Sequence, residues 1–183
     1  MSRLLIPDSG PLFSLAAANL LPLLAKFRVG ITDVVRDETV NRGLAATASM
    51  EAQRLLAFYK QNAPNIQTFT TQVGINLAKL RAQDSNYRTP PNLGELSIQS
   101  LLIDLQMEVP GSNPVILFED GWFLRNGPAL AKPCVLLSTQ AFLEYAQEKR
   151  WISSAAQARQ SIAQNRPTAY SASVTIQSTG MPR

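Results

Sequence analysis

Apolar residues fall into two kinds of run along this chain. Leu4-Leu5-Ile6 is short and bounded by Pro7, the mark of a strand buried on both faces, and KPCVLLST (132–139) reads the same way. FRVGIT (27–32) and NPVILFEDG (113–121) also read as strands, the second a β-branched run that ends in acid. NIQTFTTQV (65–73) alternates and is rich in Thr and Phe, which predicts one more. Between them the spacing turns helical. Ala52, Leu55, Leu56 and Tyr59 share a face in a helix over 49–62, and Ile98, Leu101, Leu102 and Leu105 form a stripe in 93–108.

Capping residues place the remaining helices. Pro11 suits a first helical turn capped by Ser9 or Gly10, and a second short helix restarts after Asn19 and Pro22 and ends near Phe27. Thr32 or Asp33 opens a helix that Gly43 closes. A weak helical patch from Ile75 to Ala82 runs into QDSNYRTPPN (83–92), a polar, proline-bearing loop. QAFLEYAQEKRW (140–151) and SSAAQARQSIAQN (153–165) predict two closing helices. From Arg166 the chain is Ser/Thr/Pro-rich, which predicts a mobile or partner-binding tail over 166–183 after one domain over 1–165. Strands alternating with helices imply an α/β domain of three layers, α/β/α, around a mostly parallel five-stranded sheet.

Composition narrows the chemistry. The 183 residues and 45% apolar content suit one self-supporting core. A net charge of +4 permits a polyanionic partner without demanding one. The chain has no histidine and one cysteine, Cys134, so His-based catalysis and Cys/His zinc sites are excluded. Any catalysis must use carboxylates, hydroxyls, lysine or a hard metal ion. The lone cysteine, in an apolar run, points to a reducing compartment. The opening resembles a secretory signal, but Asp8, Pro7, Pro11 and Pro22 interrupt its apolar part. A soluble, cytoplasmic protein with no membrane span is expected.

Four acids stand at element boundaries: Asp8, Glu38, Glu95 and Asp120. In a parallel sheet, functional groups gather at the carboxyl ends of strands, where Asp8 and Glu119-Asp120 fall. Carboxylates brought together repel and raise one another's pKa unless a divalent cation such as Mg²⁺ or Mn²⁺ neutralises them. Each acid also has a plainer reading. Asp8 fits a helix cap, Glu38 a solvated charge, and Glu95 a first-turn acid favoured by the helix dipole. Asp33 and Asp37 read as surface or capping residues. Asp104, nine residues beyond Glu95, lies about 180° round the helix and faces solvent.

In order, these segments resemble the motifs of PIN-domain ribonucleases. LLIPDSGPLFSLAAANLLPLL resembles their first strand and its acid, and DVVRDETV their apolar-x-x-Glu helix. LGELSIQSLL resembles the helix bearing their third acid, VILFEDG the strand ending in the fourth, and VLLSTQAFLEYAQEKRWI the close of the domain. The resemblance covers about residues 3–153. It implies a PIN-like fold and metal-dependent hydrolysis of RNA, as in VapC-type toxins of toxin–antitoxin pairs, leaving 5′-phosphate and 3′-hydroxyl ends. It assigns Asp8, Glu38, Glu95 and Asp120 to Mg²⁺ or Mn²⁺, with Ser9, Thr139 and Glu119 behind them. It also implies an antitoxin partner and a homodimer. Arg42, Arg88, Arg125 and Lys132 are candidate RNA contacts because they lie near the strand ends. The chain departs from the family at Gly10, where Ser or Thr is common, at Ser138 in place of Gly, and in the longer 74–92 segment.

Two rivals remain. Haloacid-dehalogenase-type phosphatases want a second Asp two residues after the first, where this chain has Gly10, and no Gly-rich loop supports dinucleotide binding. The other is a non-catalytic PIN-like scaffold that binds RNA or protein.

Overall fold

The computed structural model describes residues 3–41, 44, 49–127, 130, 133–167 and 176–178. Five parallel strands form its centre: β1 (Leu4–Pro7), β2 (Arg28–Thr32), β3 (Ile66–Phe69), β4 (Val115–Phe118) and β5 (Val135–Ser138). They lie side by side in the order β3-β2-β1-β4-β5. Registers such as Leu5 with Val29 on one side and Leu5 with Val115 on the other fix β1 at the middle.

Consecutive strand residues point to opposite faces, yet Leu5, Ile6, Ile116 and Leu117 are all buried. Both faces are therefore covered, which makes a three-layer α/β/α domain. On one face Thr32 hydrogen-bonds Ser97 of helix α5 (Leu93–Glu108) at 2.6 Å. On the other, its neighbour Ile31 lines a small cleft with Tyr59 of α3 (Met50–Gln61). Burial of each such Leu or Ile side chain contributes about 1.5–3 kcal/mol. Cys134 is buried in the same core, as its sequence context implies. Among the described residues no helix is long and apolar enough to cross a membrane.

Most element boundaries follow the sequence signals, and the exceptions have local causes. Helix α1 (Ser9–Ala17) follows β1 directly, and Arg54 of α3 caps its end by donating to the Ala16 and Ala17 carbonyls. Leu21–Lys26 is a 3₁₀ stretch. Thr32 caps α2 (Asp33–Arg36), which continues as a π turn over Asp37–Asn41; Gly43, read as its stop, lies outside the described residues. The strand expected through Val73 ends at Phe69. Thr71 accepts a hydrogen bond from the Gly74 N–H and is itself held by the Asp33 carboxylate, so helix α4 (Gln72–Gln83) begins there instead. Asp33 thus ties α2 to α4.

Short helix α6 (Trp122–Asn126) follows β4, and α7 (Thr139–Glu148) and α8 (Ala155–Asn165) close the domain. Of the segment from Arg166, the described residues are 166–167 and 176–178. Ile176–Ser178 forms β6, which pairs antiparallel with β5 at the sheet edge, and Arg166 bonds into the body of the domain.

The chain leaves β1 for β2 on one side and takes β4 on the other. Ligands in open α/β sheets bind in the crevice at such a reversal, outside the carboxyl ends of the strands. Asp8 and Asp120 follow the two strands that flank it.

Candidate metal centre

Asp8 stands at the N-cap position of α1, yet its side chain makes no capping hydrogen bond. The residue is only 4% exposed, and its Oδ1 is buried without a hydrogen-bond partner. An unpaired buried carboxylate oxygen is costly, so the capping reading does not account for it. Burial raises its pKa well above the usual carboxylate range, and Glu95, Asp120 and Glu38 raise it further. Against these stands the Ser9 backbone N–H, so Ser9 contributes here through its backbone.

Three elements bring acids to Asp8. Glu95 is the third residue of α5 and is 8% exposed. Asp120, half-buried, follows β4, where its Oδ1 accepts from the Trp122 N–H at 2.7 Å. One carboxylate oxygen from each of Asp8, Glu95 and Asp120 lies within 4.8 Å of the others. Burial, then Asp120 and Glu38, push the Glu95 pKa up to about 7, against the pull of its own backbone N–H.

Glu38, on the π turn, is outside that set of three but faces the same space. A Cβ at Gly94 would lie 2.9 Å from Glu38 Oε2 and 3.3 Å from Asp8 Oδ1, so both carboxylates close on the space that this glycine leaves. Gly94→Ala is therefore expected to weaken Mn²⁺ binding about tenfold or more. Its melting temperature should not fall, because Ala favours a helix over Gly by up to about 1 kcal/mol. Calorimetric titration beside thermal melts checks both; unchanged Mn²⁺ affinity would remove Glu38 from the centre.

Buried Asp8 and Glu95, with half-buried Asp120, could hold a metal ion. The donors are all oxygen, which suits a hard divalent cation, and a cation would relieve both the like-charge crowding and the orphaned Asp8 Oδ1. Glu119 lies apart from them. Its carboxylate turns back over Gly10 and accepts from Arg166 Nη1 at 2.8 Å. Burial raises the Glu119 pKa, and the neighbouring Ser14, Arg166 and Thr139 side chains oppose the rise; the Thr139 hydroxyl donates to the Phe118 carbonyl at 3.3 Å. Glu119 and Thr139 are both buried, and neither is among the three acids whose oxygens lie within 4.8 Å of one another. A Cβ at Gly10 would come 3.2 Å from Glu119 Cβ, a steric reason for glycine where the resembled family carries a hydroxyl.

The cationic candidates divide. Arg125, exposed, lays its guanidinium against Gly121, next to Asp120. Arg88 is exposed on the loop between α4 and α5. Arg42 and Lys132 lie outside the described residues. Asp104 is exposed, away from the centre. Sequence reasoning missed Arg81, which pairs with Asp37 beside Glu38 at 2.8 Å and donates to Thr89 of that loop. It also missed Gly94, whose signal was the Gly-Glu opening of α5, and Arg166, which carried none.

No protein-family model, curated protein or solved structure matches this chain.

Proposed function

We propose that this chain is a Mg²⁺- or Mn²⁺-dependent endoribonuclease of the PIN type. The observation that carries the reading is the buried Asp8 carboxylate at the reversal of strand order, its Oδ1 without a hydrogen-bond partner, with Glu95, Asp120 and Glu38 around it. Asp8, Glu95 and Asp120 hold the cation, and Glu38 closes the fourth side. Bound there, a divalent ion activates water and offsets the negative charge that builds on a phosphoryl group.

The chain's own residues position the rest. Asp120 is oriented by the Trp122 N–H, and Asp8 by the start of α1. On this reading Arg125, which lies against Gly121, contacts a backbone phosphate beside Asp120, and exposed Arg88 contacts another. The resemblance of the motifs extends the proposal to a toxin acting as a homodimer with a cognate antitoxin. The test is cleavage of structured and unstructured RNAs by purified protein with Mg²⁺, Mn²⁺ or EDTA. Metal-dependent cutting, with 5′-phosphate ends, is the expected result. Binding of RNA with no cutting under any metal would overturn the nuclease and leave the scaffold.

A further inference from the structure

Arg166 lies just past the end of α8, in the segment that composition assigned to a tail. Its side chain is three-quarters buried and reaches three places at once. Nη1 donates to the Gly10 carbonyl at 2.9 Å, to Ser14 Oγ at 2.6 Å and to Glu119 Oε2 at 2.8 Å. The guanidinium also stands over the Phe13 ring, 5.7 Å from its centroid. Gly10 is two residues after Asp8, and Glu119 is the residue before Asp120. One cation therefore joins the turn that carries Asp8 to the turn that carries Asp120, from the side away from the centre.

We propose that Arg166 is a positioning residue of the carboxylate centre: it fixes the separation of Asp8 and Asp120 and keeps Glu119 turned away from them. The inference rests on the reading of those acids as metal ligands. The physical need is plain. Glu119 is a fifth carboxylate, 6% exposed, beside a cluster already crowded with negative charge. Removing a buried charge's partner leaves it uncompensated, so the carboxylate must move. That movement disturbs Asp120, which shares its turn. Groups behind metal ligands that orient them commonly change metal affinity about 10–100-fold when lost.

The experiment titrates the full-length protein with Mn²⁺ alone, following bound ion by paramagnetic resonance, with circular dichroism to confirm folding. Arg166→Met is expected to weaken Mn²⁺ binding about 10–100-fold. Arg166→Lys, which keeps the charge and a donor, should recover most of it. Ser14→Ala removes one partner without stranding a charge and should weaken binding in the same direction, by less. A tie that serves the fold alone would lower the melting temperature without moving the affinity of the folded protein. Folded Arg166→Met with wild-type affinity overturns the proposal; if that variant does not fold, unchanged affinity in Ser14→Ala does so. Wild-type protein that binds no Mn²⁺ overturns the metal centre itself, an outcome distinct from failure of the Arg166 role.

Discussion

On the proposed function, Asp8→Asn is expected to lower metal-dependent RNA cleavage by at least about a thousandfold, and Glu95→Gln to do the same. A thousandfold is about 4 kcal/mol of transition-state stabilisation, within what a bound cation supplies at a phosphoryl group. Asn keeps the shape of Asp8 and removes the charge, so the loss reports the carboxylate and not a cavity. Asp8 is the most deeply buried acid of the centre, and its Oδ1 has no protein partner to share its role. Asp104→Asn, exposed elsewhere on α5, is the control and should cleave like wild type. Initial rates with Mg²⁺ and Mn²⁺, beside EDTA, decide the matter. Asp8→Asn that retains activity within about tenfold would place the chemistry elsewhere.

The acids and strands of this site were legible because each leaves a local mark. Leu4-Leu5-Ile6 and Val115-Ile116-Leu117-Phe118 are apolar runs that end in acid, and α5 opens on Gly94-Glu95 before a buried stripe. What a local mark could not convey is where a carboxylate points. Asp8 occupies a cap position and reads as a cap, and only its unbonded oxygen separates the two roles. Glu38 sits in a π turn, where ordinary helical spacing misplaces side chains. The Thr-rich alternation of 65–73 imitates a strand throughout, but the Thr71 cap and its tie to Asp33 end it early. Arg166 is beyond any pattern, since its partners lie 47, 152 and 156 residues away. Ile176–Ser178 is three residues of edge strand in a polar stretch, too short for alternation to show.

The metal-free protein is expected to lose stability as pH rises from about 4.5 to about 7, the reverse of the usual carboxylate behaviour. Glu95 has a folded-state pKa of about 7, above its ordinary value of 4.5, and Asp8 is also raised. Between those pH values the folded state holds a proton that the unfolded chain has released. Stability falls with pH wherever the folded state binds more protons, so the contribution is full below 4.5 and gone above 7. Glu95→Gln cannot ionise, so it should melt several degrees higher than wild type at pH 8 and show a flatter profile. Mn²⁺ bound at these acids would do for the wild type what protonation does, by placing positive charge among them. At one hundred times its dissociation constant it should stabilise by about 2.7 kcal/mol, or about 5–10 °C in melting temperature. EDTA should return the protein to its metal-free value, and Glu95→Gln should respond weakly to the ion. Thermal melts at pH 5, 6, 7 and 8, with Mn²⁺ or EDTA, read all three effects. A wild-type melting temperature that rises across this range and ignores Mn²⁺ would mean that these carboxylates do not form one charged cluster. A falling profile restored by the ion ties the burial of Asp8 and Glu95 to the cation they would hold.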